Sequence, residues 1–359
     1  MKTILVTLIL AVAILSACGN TMNVQGVAQK EKPAAASVSS SSSTENAEDT
    51  EPQKDTASSR PDEAAVTEAS ADSDFGSEFA MFKKEQTIEE TVLYDENDVR
   101  ITATSLNYGD SNVELNVTLE NHSDTDLTFL AGTMGYSCNA VNGWMIEDGW
   151  INEDVAAGGS VDTTVRFNTT ELLFHGITEI ADIQVGFEIE DADYNRIYTG
   201  PLTITTPLAA SYDYDNDIYR KAINSRALQL NYDYTIDAFA EKEAYNEGGI
   251  RILSEAYMIN TDGDRTLMLE VKNDNDHAVY MATNNIKAND TLIYEDLWSA
   301  VAINPSCRAV EDIRLDDILS EEEWEEYGIE KIESVSFTVN IMNEDGIIIA
   351  EPKEIMISL

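Results

Sequence analysis

Hydrophobic and polar residues alternate at period two along much of the chain. Val113, Leu115, Val117 and Leu119 are separated by polar side chains, Ile183, Val185, Phe187 and Ile189 follow the same rule, and so do Val335, Phe337, Val339 and Ile341. Such alternation sets one face of a strand on a core and leaves the other to water, which marks antiparallel sheet. Turn residues cut the pattern into short pieces. Asp95-Glu96-Asn97-Asp98 separates strands at Glu89 to Tyr94 and Val99 to Thr104, and Asn121-His122-Ser123-Asp124 follows Leu119. A strand around Tyr136, Cys138 and Ala140 meets Asn142-Gly143, a strong two-residue hairpin signal, and returns through Trp144 and Ile146. Gly158-Gly159 turns the chain into Val161 to Phe167, and closing strands carry Ile204 and Ile355.

Helical signals are few. Ser320 caps a predicted helix with Glu323 three residues on, Leu319 and Trp324 form a staple across that cap, and Gly328 supplies the left-handed stop. Thr170 to His175, just before Gly176, reads as a shorter counterpart.

The whole pattern occurs twice. At an offset of 148, Ala140, Glu147, Asp148, Trp150 and Arg166 fall on Ala288, Glu295, Asp296, Trp298 and Arg314. Nearer the start of each copy the offset is 151, and Tyr94, Glu96, Arg100 and Ile101 meet Tyr245, Glu247, Arg251 and Ile252. Seven to nine short strands per roughly 120 residues, with frequent turns, describe an antiparallel β-sandwich. The expected fold class is therefore mainly β, with two tandem sandwiches at 79–206 and 243–359, each carrying one short helix. Between them, 207–242 holds Tyr212-Asp213-Tyr214-Asp215 and Asn231-Tyr232-Asp233-Tyr234, whose spacing suits an added edge strand, and Ile218 to Leu230 suits a helix.

Charge narrows the partners. The chain has 22 basic against 67 acidic residues, a net charge of −45. Residues 19–80 hold four basic and twelve acidic residues, so most of the excess belongs to the folded part. A body this negative repels phosphate backbones and anionic headgroups, and no nucleic acid is expected as a partner. The three cysteines, Cys18, Cys138 and Cys307, make no disulfide framework. Cys138 and Cys307 occupy non-equivalent repeat positions and are read as isolated thiols or as a bridge between the units.

The N-terminus carries an address. Met1 and Lys2 precede a mostly apolar run of twelve residues, Ile4 to Leu15, too short for a permanent bilayer span but suited to a signal peptide. Leu15-Ser16-Ala17-Cys18 resembles the lipobox of bacterial lipoproteins. That resemblance implies a signal peptide at 1–17, diacylglycerol on the Cys18 sulfur and anchoring at the extracellular face of the cell membrane. Residues 18–78 are rich in Ser, Thr, Ala, Glu and Asp and are expected to form a disordered tether with a root-mean-square span of about 45 Å. Together with Val-Leu-Tyr-Asp-Glu-Asn, Asn-Gly-Trp, Val-Ala-Ala-Gly and Gly-Ile-Thr-Glu-Ile, these features resemble the tandem immunoglobulin-like domains of uncharacterised lipoproteins from Gram-positive gut bacteria. The domains are similar in kind to the immunoprotective extracellular protein fold. The resemblance carries no catalytic signature.

Catalysis usually needs a positioned base or nucleophile, and the chain has only His122, His175 and His277. The first two sites read as a polar turn and a helix end, the third as another turn. No metalloprotease, nucleophile-elbow or phosphate-loop pattern is present. No catalytic residue and no turnover are expected; carboxylates gathered in a deep cleft would change that. Calcium is the one cofactor with candidate ligands, because Asp213, Asp215 and Asp217 recur at period two, while Asp191 to Asn195 starts like a calcium loop but puts Arg196 where glycine belongs. Trp150 and Trp298, being equivalent, read as packing residues. Trp144 sits beside a hairpin turn, where burial in the core is the leading reading; if exposed it is, with Tyr212 and Tyr214, a candidate to stack on a sugar or anchor a protein contact. Two functions fit: a surface lipoprotein presenting two sandwiches to an extracellular polymer, glycan or protein, or an accessory subunit of an envelope transport or wall-processing complex.

Overall fold

The computed structural model describes residues 77–132, 139–298 and 300–359. The expected signal peptide, the tether up to residue 76, Cys18, Tyr136 and Cys138 lie outside them. The first half runs through β1 (Thr91–Glu96), β2 (Val99–Tyr108), β3 (Asn112–Asn121), β4 (Leu127–Ala131), β5 (Ala140–Val141), β6 (Trp144–Met145), β7 (Ile151–Val155) and β8 (Ser160–Asn168). It continues with helix α1 (Thr169–Phe174), β9 (Asp182–Val185), β10 (Phe187–Asp191), β11 (Arg196–Tyr198) and β12 (Leu202–Thr205). Helices α2 (Ile218–Ile223) and α3 (Arg226–Asn231) lead to β13 (Tyr234–Ala240). The second half comprises β14 (Tyr245–Glu247), β15 (Ile250–Asn260), β16 (Arg265–Asn273), β17 (Val279–Ala288), β18 (Thr291–Tyr294), β19 (Ala300–Ile303) and β20 (Arg308–Arg314). Helices α4 (Leu315–Ile318) and α5 (Glu321–Tyr327), then β21 (Ser334–Met342) and β22 (Lys353–Ser358), complete it. The fold is mainly β with antiparallel sheets and few helices.

In the first half, the sheet β1-β2-β3-β8 packs on the strands β11-β10-β4-β7 and β12-β9-β5-β6 over one apolar core. In the second, β14 and β13 flank β15, which continues through β16 to β20, and this layer packs on β18-β17-β21-β22 over another. Several pairings recur at equivalent positions in the two halves. Leu115 lies opposite Val165 and Leu267 opposite Ile313, while Tyr94 lies opposite Ile101 and Tyr245 opposite Ile252. Asn121 Nδ2 donates to the carbonyl of Val155 at 3.0 Å, and Asn273 Nδ2 donates to that of Ile303, the equivalent residue, at 3.0 Å. Both asparagines are fully buried, so these bonds satisfy amides that no water reaches. Leu115 and Leu267 are equally enclosed, and truncating either to Ala should destabilise by about 2–5 kcal/mol.

Local signals held where they rest on local chemistry. Ser320 donates its N–H and its hydroxyl to the Glu323 carboxylate at 2.9 and 2.8 Å, Leu319 and Trp324 are buried, and Gly328 adopts φ of 67°. Asn142 and Gly143, with φ of 52° and 76°, form the hairpin between β5 and β6. Four expectations are corrected. The strand expected through Ile183 to Ile189 is two, because at Gly186 the chain changes neighbours: β9 lies between β12 and β5, and β10 between β11 and β4. Ile218 to Leu230 is two short helices rather than one, Ser225 capping the second with its hydroxyl. Of the spaced tyrosines, only Tyr234 enters an added edge strand, β13 on β15. The second half has two short helices after β20 instead of one.

The segment between the halves is no free linker. Tyr219, Ala222, Ile223 and Leu228 are buried in the first core, together with Ala256 and Met258 from β15. On β16 and β20 the residues opposite the second core are Met268, Glu270, Arg308, Val310 and Asp312. Met268 and Val310 pack against the first core as well, so this sheet is covered on both faces. At its edge β20 meets β6: Arg308 N–H donates to the Gly143 carbonyl at 2.7 Å, and one nine-stranded sheet runs through both halves.

Candidate functional site

The junction is built around Glu270, whose side chain is completely enclosed. Its carboxylate takes Arg308 Nη1 at 3.1 Å and the Ser254 hydroxyl at 2.8 Å, with Arg220 Nε ion-paired at 3.0 Å without an aligned hydrogen bond. A charge removed from water this completely is tolerable only when paired on several sides. Arg308 also donates to the Asn216 carbonyl at 2.7 Å and lies 5.5 Å from the Trp144 ring centre. Trp144 is 2% exposed, with the Tyr219 and His175 rings at 4.9 and 5.7 Å. The core reading of Trp144 holds and the alternative of an exposed stacking platform there is corrected: β20 and α2 cover it, whereas its counterpart Leu292 is exposed.

Trp150 is corrected in the opposite direction. It is 54% exposed, whereas Trp298 meets Tyr294 edge to face at 5.5 Å and donates Nε1–H to the Asp312 carbonyl at 3.1 Å. The position equivalent to Tyr294 is Ile146, which turns into the first core, so Trp150 lacks that stacking partner.

Tyr212 and Tyr214 meet edge to face at 4.9 Å beside the 142–143 turn. The Tyr214 hydroxyl donates to Asp182 Oδ2 at 2.6 Å, and burial pushes the Asp182 carboxyl upward. The aspartates expected to gather calcium do not converge. Asp213 accepts the Asp215 N–H, Asp215 takes Lys272 Nζ at 2.7 Å, and Asp217 takes Lys221 Nζ at 2.7 Å. The two lysines hold the Asp215 and Asp217 carboxyls below their usual range. Among the described residues no three His, Cys, Asp or Glu side chains are placed to hold a metal. Asp191 instead closes a tight turn by accepting the N–H groups of Asp193 and Asn195. Cys307 is buried at the junction as a free thiol, its pKa pushed up to about 12 by burial.

Beyond Arg308 on the same face of β20, the halves leave a cleft of about 190 Å³. Met145, Ile146 and Phe174 from the first half and Met268, Ala302 and Val310 from the second supply its apolar walls. Glu147, Glu171, His175, Asp312 and Arg314 supply its polar groups. Arg314 Nε donates to Asp312 Oδ2 at 2.5 Å. His175, the C-terminal cap of α1, has a side chain only 6% exposed, with Nδ1 3.0 Å from the Glu171 carbonyl oxygen. Its Nε2 has no hydrogen-bond partner among the described residues. Glu147 is exposed at the cleft rim; desolvation first, then the Glu171 and Asp312 charges, push its pKa up. Among the described residues it accepts no hydrogen bond and makes no ion pair.

Sequence reasoning passed over this site. Glu147 and Arg314 were visible only as members of the repeat, and His175 as a helix end. The available signal was asymmetry: Tyr327 stands where His175 has its counterpart, so the repeat does not account for a histidine there.

No family model and no curated protein matches the chain. Among solved structures, chicken MD-1 complexed with lipid IVa aligns at 11% identity over 33% of this chain and 96% of that one, with a TM-score of 0.16. Red sea bream transglutaminase aligns at 8% identity over 76% of this chain and 31% of that one (TM-score 0.16), and Amycolatopsis orientalis exo-chitosanase CsxA at 11% over 71% and 26% (TM-score 0.17). The chain spans about a third or less of the length of the latter two. Likenesses this slight carry no argument.

Proposed function

We propose that the protein is a lipid-anchored surface protein of a Gram-positive cell, with two tandem immunoglobulin-like sandwiches acting as one binding body. Its recognition site is the cleft at their junction, and its partner is an extracellular protein. The observation that carries this reading is that the cleft is assembled from both halves, with apolar walls and a polar rim of Glu147, Glu171, His175, Asp312 and Arg314. Its 190 Å³ is smaller than the roughly 300–1,000 Å³ of sites that enclose a drug-sized molecule, which favours a protruding side chain over a sugar polymer. The lipobox-like Leu15-Ser16-Ala17-Cys18 supports the location.

The test is binding of the full chain to arrays of extracellular proteins and of glycans, with Val310→Glu as the cleft variant. Saturable protein binding that Val310→Glu abolishes supports the reading; binding confined to glycans, or indifferent to that variant, contradicts it. A second reading, hydrolysis by a carboxylate pair, draws on the raised Glu147 beside Glu171 and Asp312. It is weaker because Arg314 engages Asp312 at 2.5 Å, leaving no free carboxylate opposite Glu147 on β20.

A further inference from the structure

We infer that residues 212–214 form a pH-dependent clasp across the junction, fastened to Asp182 through the Tyr214 hydroxyl while that carboxyl is protonated and loosened when it ionises. Asp182 stands on β9, where Ile183 and Val185 turn into the first core, so Asp182 and Gln184 face the second half. Gln184 Oε1 accepts the Asn304 amide at 3.0 Å and the Cys307 thiol at 3.6 Å, both from the connection between β19 and β20. Asp182 is 7% exposed, and its Oδ2 accepts the Tyr214 hydroxyl at 2.6 Å. Its Oδ1 is shut off from solvent with no hydrogen-bond partner among the described residues. A carboxylate held in this way, with no cation paired to it among the described residues, is costly to ionise. The Tyr214 hydroxyl and the nearby N–H groups of Asn142 and Gly143 favour the ionised form, but burial outweighs them and pushes the carboxyl upward.

The charges around the clasp are committed elsewhere. Lys272 holds Asp215 at 2.7 Å, and Arg308 reaches Glu270 at 3.1 Å and the Asn216 carbonyl at 2.7 Å. The titratable groups that face Asp182 are Tyr212 and Tyr214 from the clasp and Cys307 from the second half; burial pushes each of them upward, so all three are uncharged at neutral pH. Residues 212–214 are pinned on either side, upstream by the Thr206 hydroxyl on the Ile180 carbonyl at 2.8 Å and downstream by the Lys272 and Arg308 contacts. Between these pins the Tyr214–Asp182 bond ties the segment to β9, with the Tyr214 ring against Gly143. Closing over Asp182 removes water from its carboxyl, so the closed form binds the proton more tightly than the open one. Its advantage is therefore full at low pH and is lost as pH rises through the raised value. Loosening turns the Tyr212 and Tyr214 rings, paired edge to face at 4.9 Å, away from the 142–143 turn. The pins and the Glu270 cluster stay in place, so Cys307 remains covered, and the clasp operates whatever partner the cleft takes.

The test is an NMR titration of the full chain from pH 5 to pH 8 that follows the Asp182 carboxyl carbon and the Overhauser contact between the Tyr214 ring and the Gly143 α-protons. Asp182 is expected to titrate above the ordinary carboxylate range, and the Tyr214–Gly143 contact to weaken at least twofold over the same step. Asp182→Asn, a neutral side chain of the same shape, should keep that contact at its low-pH strength up to pH 8, with a thermal melt showing that the variant is folded. A carboxyl that does not change state in that interval, a contact that stays constant while Asp182 titrates, or an Asp182→Asn chain whose contact weakens with pH as in the parent would each overturn the inference. The first two outcomes are read on the unaltered chain and decide the matter even if the variant folds poorly.

Discussion

The backbone N–H of Arg308 points at the carbonyl of Gly143, 2.7 Å away, and by that bond a strand of the second half becomes the neighbour of a hairpin in the first. The same residue's side chain reaches Glu270 at 3.1 Å and covers Trp144. One arginine therefore contributes to the sheet, to the buried ion cluster and to the aromatic packing of the junction.

Removing one member of that cluster should be expensive. Arg308→Ala leaves Glu270 with Arg220 and the Ser254 hydroxyl in a site closed to water, and breaking a buried pair in this way typically destabilises by about 3–5 kcal/mol. Equilibrium unfolding in urea should show that loss for Arg308→Ala, and less than 1 kcal/mol for Arg166→Ala, whose partner Glu114 lies on an exposed strand face. Equal effects for the two would contradict the importance of the cluster.

Glu147 gives a pH dependence with a definite sign. A carboxyl whose folded pKa is raised binds its proton more tightly in the native state, so its contribution is most favourable at low pH and is lost as pH rises through the raised folded value. Glu147→Gln removes that handicap. The variant should melt above the parent at pH 8 and converge on it near pH 4, where Glu147, crowded by Glu171, Asp312, Arg314 and His175, is protonated. A variant less stable than the parent at pH 8 would contradict the desolvation of Glu147.

Cys307 should be chemically silent while the protein is folded. Burial holds the thiol at a pKa of about 12, so almost no thiolate is present at neutral pH. In a Cys18→Ala, Cys138→Ser chain, iodoacetamide at pH 8 should leave Cys307 unlabelled until denaturant is added. Rapid labelling of the native chain would show that the junction opens.

The Asp213 to Asp217 segment should show no preference for calcium. Lys272 and Lys221 already occupy two of its carboxylates, Asp213 accepts the Asp215 N–H, and among the described residues the three do not converge. Calcium and magnesium at equal millimolar concentration should therefore move the melting temperature equally; a calcium-specific rise of several degrees would reinstate the site.

How far the sequence was legible follows from the range of each interaction. The alternation at Val113 to Leu119 and the cap at Ser320 depend on residues within a turn or a strand, and both read correctly. Trp144 was read as core ahead of surface, but the residues that bury it, Arg308 and Tyr219, lie far along the chain and no local pattern names them. Met268 and Val310 stand on strand faces that would be polar if they met water, and their apolarity was the visible trace of the covered sheet. Glu147 and His175 become neighbours only because the two halves pack, a juxtaposition no local pattern encodes.

The central claim is that the two halves form one body whose junction is the working surface. Differential scanning calorimetry of the full chain tests it most directly. The account predicts a single cooperative transition, with calorimetric and van't Hoff enthalpies in agreement, that Arg308→Ala lowers or splits. Two resolved transitions in the unaltered chain, neither displaced by that substitution, would contradict it.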